Sequence, residues 1–293
     1  MRVGIYGKEI KSEHLKFAEE LFECLKASGC ELIAYFRFVE RNAQHWSADS
    51  FDDTFNDHFE MMRKEVDVLI SLGGDGTLLD STMLVVNSGV PIMGVNFGRL
   101  GFLANIARED IRTAIELLTT GQYEKEPRSV IRLDTQRDLF EGMNFALNEL
   151  TVSRKDTTAM ITVHVYLKDQ LLNSYWCDGL IISTPTGSTG YSLSCGGPII
   201  MPGSRNFVLT PIAPHNLTVR PFVLSDQVEL RLRVEGRSEE HLVSLDSRVR
   251  SITSNDELIV KRANFDIHLV RFEGQTFSET LRNKLMWGID KRN

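Results

Sequence analysis

The segment "LISLGGDGTLLD" (69–80) places an acid inside a glycine-rich turn that follows an apolar strand. The turn consists of Gly73, Gly74, Asp75, Gly76 and Thr77. Glycine turns after strands allow bare backbone N–H groups to approach a phosphate. A carboxylate in such a turn is repelled by phosphates unless it holds Mg²⁺ or accepts a proton from an attacking hydroxyl, and both roles belong to phosphoryl transfer. The alternative is a tight turn in which Asp75 caps a helix.

The turn fits neither of two common phosphate motifs. No Lys-Ser or Lys-Thr follows at the spacing of a Walker A motif. Leu79 stands where a dinucleotide fingerprint requires its third glycine.

A second glycine-rich stretch, "GVNFGRLGFLAN" (94–105), follows the next apolar strand and carries Gly94, Gly98 and Gly101. In open α/β sheets, ligands bind beyond the carboxyl ends of the strands, so loops after successive strands line one crevice. The stretch therefore predicts a second wall of the same site, against the alternative of a flexible turn. Phe102 either packs in the core or stacks on a base.

Two further stretches combine polar groups with apolar strands. In "FALNELTVSR", Asn148 and Glu149 form an amide–carboxylate pair suited to a ribose diol, and a surface bend is the alternative. In "CDGLIISTPTGSTGYSLSCGGPII" (177–200), a predicted strand runs into small and hydroxylated residues at 184–190. Exposed hydroxyls at this density are costly unless they meet a polar ligand, the alternative being a plain Ser/Thr-rich loop. Asp178 is either a turn residue or a partner for an amine or hydroxyl.

Alternating strands and helices must position the two glycine loops. Apolar runs in "RVGIYG", "ELIAYFRF", "VDVLISL" and "VPIMGVNF" predict strands, and helical spacing at 15–25, 77–86 and 108–121 predicts helices. This order predicts a parallel, doubly wound sheet with helices on both faces.

Beyond Gly121 the hydrophobic period changes to two. Ile161, Val163 and Val165 alternate with polar neighbours, and the stretch 227–237 does the same. Such half-buried strands with turns between them predict an antiparallel β-sandwich.

The tail "TFSETLRNKLMWGIDKR" is helical again, with Phe277, Leu281, Leu285 and Met286 on one side. A lone helix after a β domain must bury that face, so we expect it to return to the first domain. The predicted divisions are an α/β nucleotide-binding domain at 1–125, a ligand-binding β-sandwich at 126–270 and a carboxyl-terminal segment at 271–293 that packs on the first domain.

Composition argues against several classes of protein. The 293-residue chain has a formal net charge of −7 and no basic stripe, so no nucleic-acid partner is expected. No apolar run approaches the ~18 residues of a membrane span, and the amino terminus is not a signal peptide. The four cysteines lack metal or disulfide spacing, so we expect a reduced, cytoplasmic chain without membrane contact.

The histidines predict no protein-bound metal, and His215 is expected to make a structural hydrogen bond. No Ser-His-Asp or HExxH pattern supports a hydrolase.

Five stretches together resemble the NAD kinase family. "GGDGT", "NFGRLGFL", "NEL", "DGLIISTPTGSTGYSLSCGGP" and "PHNLTVRP" occur in the order and approximate spacing of that family, from about residue 66 through the terminal helix. The long Thr-Gly-Ser segment is highly specific, whereas GGDG alone is shared with 6-phosphofructokinases and diacylglycerol-type lipid kinases. The resemblance implies an α/β domain, a β-sandwich and a terminal segment returning to the first domain, assembled as a homodimer or homotetramer.

The resemblance also implies a reaction, in which the ATP γ-phosphoryl passes to the adenosine ribose 2′-hydroxyl of NAD, giving NADP. Asp75 is implied as the proton acceptor. The residues implied to contact NAD are Asp75, Gly76, Phe102, Asn148, Glu149, Asp178, Thr186, Thr189, Gly190, Tyr191, Ser192, Leu193 and Ser194. The expected loop for the phosphates of ATP is Gly73, Gly74, Gly76 and Thr77, with Mg²⁺ as the divalent metal that accompanies ATP.

The sequence departs from the family pattern in three places. Gly190 replaces the usual alanine before Tyr191, a loss of one methyl that we expect to be tolerated. Trp176 stands where many relatives carry a basic residue. "SLDSR" (244–248) replaces a more usual Leu/Ile-Asp-Gly-Gln, so Arg248 adds a charge close to where relatives approach the ligand.

Two alternatives to an NAD kinase stay open from the residues. One is a GGDG-type kinase for another hydroxyl acceptor, a lipid or a sugar. The other is a non-catalytic NAD(P) sensor, which has no need of a base aimed at a hydroxyl.

Overall fold

A computed structural model of the chain describes residues 1–98, 100–156 and 159–286. The chain forms two compact units. Unit 1 contains Met1–Pro127 and the chain from Ile267 onward, and unit 2 contains Arg128–Asp266. The strands and helices of both units are given next in chain order.

The strands are β1 (Arg2–Gly7), β2 (Glu31–Tyr35), β3 (Asp53–Phe55), β4 (Val68–Leu72), β5 (Ile92–Asn96), β6 (Ile106–Ala107), β7 (Glu124–Asp134), β8 (Phe145–Ala146), β9 (Glu149–Arg154), β10 (Ile161–Leu167), β11 (Gln170–Cys177), β12 (Gly179–Ser183), β13 (Asn206–Ile212), β14 (Phe222–Ser225), β15 (Leu230–Glu235), β16 (Glu240–Leu245), β17 (Arg248–Thr253) and β18 (Leu258–Arg271). The α-helices are α1 (Leu15–Ala27), α2 (Phe36–Arg41), α3 (His58–Arg63), α4 (Asp75–Val85), α5 (Ile111–Thr119), α6 (Tyr191–Ser194) and α7 (Phe277–Leu285). Short 3₁₀ turns lie at Ser12–His14, Ala48–Ser50, Arg108–Asp110 and Gly187–Thr189.

Unit 1 is built on a parallel sheet with the strand order β3-β2-β1-β4-β5. The interior strands β4 and β5 are buried along their whole length, as expected for strands that are covered on both faces. Helix α1 buries Ala18, Leu21, Phe22 and Leu25 at helical spacing in the same core. The predicted parallel α/β architecture is confirmed, and the order reverses direction between β1 and β4, where such sheets bind ligands.

Unit 2 is a β-sandwich of antiparallel strands. One sheet has the order β14-β13-β12-β9-β16-β17, and strands β11, β10 and β15 continue into the first half of β18 in the other. Val163 and Leu232 from one sheet share a core with Leu180 and Val243 from the other. The period-two pattern therefore predicted both the strands and the sandwich correctly, because alternate residues face one core.

Helix α7 belongs to unit 1 and begins at Thr276, whose hydroxyl accepts a hydrogen bond from the Glu279 N–H at 3.2 Å. Leu281 is buried, as expected for the apolar face. Met286 does not continue that face, because the helix ends before it and its side chain is 56% exposed. No helix in the described ranges is long and apolar enough to cross a membrane.

Candidate active site

The glycine-acid turn joins β4 to α4 at the point where the sheet order reverses. Gly73 has a φ of 148°, and a Cβ there would lie 2.5 Å from the Thr77 hydroxyl oxygen, so this position requires glycine. Gly74 is the N-cap of α4 and Asp75 is its first residue. The helix therefore directs its first N–H groups, which have no partner within the helix, towards the turn, as in sites that bind phosphates.

The Asp75 carboxylate holds the second glycine-rich stretch instead of capping its own helix. Its Oδ2 accepts from the Phe102 N–H at 2.8 Å, and its Oδ1 accepts from the Leu103 and Ala104 N–H groups at 3.0 and 2.9 Å. A Cβ on Gly101 would lie only 1.7 Å from Oδ1, so the loop approaches the carboxylate more closely than any other residue would allow. The two glycine-rich stretches are thus joined through one acid.

The hydrogen bonds of Asp75 leave one position for a further donor. A carboxylate has about four acceptor positions, two on each oxygen. Oδ1 uses two of them for N–H groups, whereas Oδ2 uses one. Asp75 is half-buried, and by this count Oδ2 keeps one acceptor position for a further donor.

A cavity of about 360 Å³ lies beside Gly101 in unit 1, on the side of the loop formed with α7. Its lining includes the polar residues Asn105 from the loop and Glu279 and Asn283 from the helix. The Lys284 ammonium at its border lies 5.9 Å from the centre of the Phe102 ring. Phe102 is half-buried, so its side chain is neither part of the core nor fully exposed to solvent.

Two charged residues near the turn escaped the sequence analysis. Lys8 follows β1 and its Nζ lies 2.7 Å from Oδ2 of Asp80 on α4. Lys8 thus links the end of β1 to helix α4. The only signal for it was its place directly after a buried strand, which is too common to indicate a site.

In unit 2, Asn148 and Glu149 immediately precede and begin β9. Asn148 Oδ1 and Glu149 Oε2 are buried atoms without a hydrogen-bond partner. Burial, and secondly the charge of Asp246, raises the pKa of Glu149 to about 8. Buried polar atoms in folded proteins nearly always have a hydrogen-bond partner, so these two oxygens are candidate acceptors for hydrogen bonds from a ligand.

The hydroxylated segment after β12 is organised differently from the sequence expectation. The side chains of Thr184, Thr186, Ser188 and Ser192 are buried, not exposed. Thr184 donates to the Leu147 carbonyl at 2.6 Å, Ser188 donates to the Pro185 carbonyl at 2.6 Å, and the Ser192 and Thr210 hydroxyls are 2.8 Å apart. The hydroxyls of Thr184, Ser188 and Ser192 are therefore satisfied within the protein, where they help to fix the loop.

The loop closes tightly over the amide–carboxylate pair. A Cβ on Gly187 would lie 2.1 Å from the Asn148 carbonyl oxygen, so only glycine fits there. A Cβ on Gly190 would lie 3.2 Å from Glu149 Oε2 and 3.4 Å from Asn148 Nδ2. An alanine methyl at this position would therefore press on the pair, and glycine leaves it more room.

The remaining residues of the 186–194 run differ in accessibility. Thr189 donates to the Thr186 carbonyl at 3.2 Å and is half-buried. Tyr191 is 47% exposed, Leu193 is half-buried and Ser194 is exposed on the short helix α6. These side chains are available to a ligand, whereas Thr186 and Ser192 are enclosed.

Asp178 and Trp176 lie at the end of β11 in unit 2. The Asp178 carboxylate pairs with the Arg154 guanidinium at 3.0 Å, so it is not a simple turn residue. Trp176 is 50% exposed, and its ring centre lies 4.1 Å from that of His215. The structural hydrogen bond of His215 comes from its backbone, which donates to the Trp176 carbonyl at 2.9 Å.

The structure sorts the predicted site residues into two sets, one in each unit. The first set is Gly73, Gly74, Asp75, Gly76, Thr77 and Phe102, and the second is Asn148, Glu149, Asp178, Thr186 and 189–194. Over the described part of the chain, no group of three or more His, Cys, Asp or Glu side chains is placed to hold a metal.

The first unit has an open parallel sheet with an acid-bearing glycine turn where the strand order reverses. The second is a β-sandwich with a buried pair of polar side chains whose oxygens lack partners. This combination defines a two-domain kinase of the GGDG type. Sequence models of the ATP-NAD kinase N-terminal domain and the ATP-NAD kinase C-terminal domain match residues 3–123 and 147–272. The chain belongs to the ATP-NAD kinase family, whose members are phosphotransferases.

Individual relatives agree over the whole length. Proteins named NAD kinase from Flavobacterium psychrophilum, Flavobacterium johnsoniae and Christiangramia forsetii are 46%, 45% and 44% identical, with 100% of both chains covered. A solved NAD kinase from Archaeoglobus fulgidus in complex with ATP has a TM-score of 0.72 at 26% identity, covering 98% of this chain and 99% of that one. A yeast NADH kinase complexed with NADH has a TM-score of 0.87 at 19% identity, covering 99% and 88%, and shows the fold alone.

Proposed function

We propose that this protein is an NAD kinase, which transfers the γ-phosphoryl group of ATP to the 2′-hydroxyl of the adenosine ribose of NAD and releases NADP and ADP. The observation that carries the proposal is the Asp75 carboxylate, held by three N–H donors with one acceptor position left on Oδ2. Relatives named NAD kinase, 44–46% identical over their full length, support the choice of substrates.

In the proposed reaction, the 2′-oxygen of NAD forms a bond to the γ-phosphorus while the bond from that phosphorus to the β,γ-bridging oxygen breaks. Asp75 Oδ2 orients the 2′-hydroxyl and takes its proton, and the electron pair of the broken bond leaves with ADP. Phosphoryl transfer depends chiefly on positioning and charge stabilisation, so the protein need not form a covalent intermediate.

The acceptor dinucleotide is assigned to the residues of unit 2. The buried oxygens of Asn148 and Glu149 accept from the ribose hydroxyls or the adenine amine, which removes the cost of leaving these oxygens without donors. Asp178, Tyr191 and the backbone around Thr189 and Gly190 complete the proposed contacts. Ser192 acts by holding the loop, because its hydroxyl is bonded to that of Thr210, and the buried Thr186 lies in the same loop.

The donor is assigned to unit 1, with its phosphates at the first turn of α4 and at Gly73, Gly74, Gly76 and Thr77. The cavity of about 360 Å³ beside Gly101 is large enough for part of the nucleotide. A divalent metal such as Mg²⁺ would be carried by the phosphates and would neutralise charge near Asp75. A cytoplasmic location and a homodimeric or homotetrameric assembly are part of the same proposal, and cell fractionation and the mass in solution will test them.

The proposal is tested by incubating the purified protein with NAD and Mg·ATP and measuring NADP with an NADP-specific dehydrogenase. We expect NADP formation that requires both nucleotides and the divalent ion. A folded protein that binds NAD but forms no NADP would instead be a sensor. A second assay replaces NAD with lipid or sugar acceptors and uses labelled ATP as donor. Label transferred to one of these acceptors, and not to NAD, would identify a kinase for a different hydroxyl group.

A further inference from the structure

The turn between β16 and β17 reaches back across the chain to the Asn148–Glu149 pair. Asp246 Oδ2 accepts from the Leu147 N–H at 2.9 Å, and its Oδ1 accepts from the Asn148 and Glu149 N–H groups at 2.9 and 3.1 Å. The Asp246 N–H in turn donates to the Glu149 carbonyl at 3.0 Å. One aspartate therefore makes four hydrogen bonds with the backbone of three consecutive residues.

Arg248, two residues further along, holds the chain just upstream of the pair. Its guanidinium donates to the carbonyls of Met143 and Phe145 and lies 5.6 Å from the centres of the Phe140 and Phe145 rings. Arg248, expected from the sequence to add a charge near the ligand, thus makes two contacts with the backbone that leads to the pair.

The opposite side of the pair is fixed by the loop after β12. Thr184 donates through its hydroxyl to the Leu147 carbonyl at 2.6 Å and through its N–H to the Asn148 carbonyl at 2.9 Å. The backbone at 147–149 is therefore held on both sides. Only the Asn148 and Glu149 side chains, with their unpartnered oxygens, are left for a ligand.

We propose that Asp246 is a positioning residue of the dinucleotide site, with its carboxylate setting the direction of the Asn148 and Glu149 side chains and Arg248 bracing the chain that leads to them. This inference rests on the proposed function. Its physical basis is that three successive N–H groups converge on one carboxylate, which fixes three peptide planes at once.

The electrostatics of the site agree with this role. Burial raises the pKa of Asp246, but three N–H donors and the Arg248 charge oppose the shift and favour its ionised form. Glu149 Oε2 has no donor, and burial together with the Asp246 charge raises the pKa of Glu149 to about 8. Asp246 therefore affects both the direction and the protonation of Glu149.

Asp246→Asn tests the inference, and Asp256→Asn is the matched control. Asp256 is also a buried carboxylate of unit 2 that accepts from a backbone N–H, at Thr253, and pairs with an arginine, Arg137. It makes no hydrogen bond with residues 147–149. We expect Asp246→Asn to raise KM for NAD by about tenfold or more, with KM for ATP changed less than threefold, because a charge-assisted hydrogen bond is lost beneath the pair.

Two readouts separate positioning from simple stabilisation. Asp246→Asn is expected to move the ionisation of Glu149 to lower pH, seen in the pH profile of kcat/KM for NAD and in the pH dependence of unfolding. Asp256→Asn is expected to lower stability but to leave both KM values within twofold. An Asp246→Asn protein with lowered stability and an unchanged KM for NAD and pH profile would overturn the inference.

A milder variant covers the case in which Asp246→Asn does not fold. Arg248→Met keeps the stem of the side chain and removes its donors, and we expect KM for NAD to rise about threefold or more. An unchanged KM in that folded variant would contradict the bracing role. A wild-type protein that makes no NADP would overturn the proposed function instead, and the pH dependence of unfolding would still decide whether Asp246 acts on Glu149.

Discussion

Replacing Asp75 with asparagine separates the loop anchor that the structure shows from the proton-acceptor role that we propose for this side chain. The asparagine oxygen can still accept from Leu103 and Ala104, but its NH₂ group would then face the Phe102 N–H, which donates to Oδ2 at 2.8 Å in the native protein. Losing one hydrogen bond to a charged group costs about 1.5–3 kcal/mol. The anchoring of the loop alone therefore accounts for a loss of roughly 10–150-fold.

The loss of a proton acceptor adds a second factor. Removing a general base typically costs ~10²–10⁴ in rate, so the two effects together predict a kcat for Asp75→Asn that is lower by about 10³-fold or more. Affinity for NAD, measured by calorimetry, is expected to stay within about threefold, because Asn148 and Glu149 are unchanged. The assay is NADP formation coupled to an NADP-specific dehydrogenase.

Gly101→Ala is the companion variant, because its Cβ would lie 1.7 Å from Asp75 Oδ1 and must break the contact between the acid and the loop. It disturbs the anchor but keeps the carboxylate, so we expect more residual turnover than in Asp75→Asn. If the two single variants lost kcat equally and the double variant lost no more, Asp75 would serve only to anchor the loop. An Asp75→Asn enzyme that keeps more than about one tenth of wild-type kcat would refute the proton-acceptor role outright.

Two further predictions concern stability. Glu149 has a native pKa of about 8 against an ordinary value of 4.5, so the native state keeps a proton that the unfolded chain releases, and stability falls as pH rises between those values. Glu149→Gln should abolish this fall. We expect the free energies of unfolding of the two proteins, measured with urea, to differ by up to about 5 kcal/mol at pH 8. If both proteins lost stability equally as pH rises, the prediction would be wrong. Gly73→Ala should destabilise the protein by about 1–3 kcal/mol in the same experiment, because φ is 148° and the new methyl meets Thr77; an unchanged midpoint would show that the turn relaxes.

The fold was readable from the sequence because its signals are local. Strands β4 and β5 are continuous apolar runs, α1 has apolar residues at helical spacing, and apolar and polar residues alternate in β10. Each pattern therefore indicates which face of its segment is buried. The sequence gives no strand signal between β2 and α3. Strand β3 there is three residues long, too short for a period to be visible.

The candidate site was readable as a set of residues but not as a set of contacts. The bonds of Asp75 span 27–29 residues and those of Asp246 span 97–99, and no local pattern encodes such pairings. The hydroxylated segment was misjudged for the same reason. Its polarity is visible in the sequence, whereas the carbonyl of Leu147 that satisfies Thr184 lies 37 residues away.

The unpartnered oxygens of Asn148 and Glu149 have a consequence for the protein in the cell. On the proposed function, a protein without dinucleotide contains an unfinished hydrogen-bond network that its substrate completes. Binding to the native state alone adds about 2.7 kcal/mol at a ligand concentration of one hundred times Kd. We therefore expect bound NAD to protect the enzyme from proteolysis in the cell. A shortage of NAD would then lower the amount of enzyme, and with it the rate at which NAD is converted to NADP.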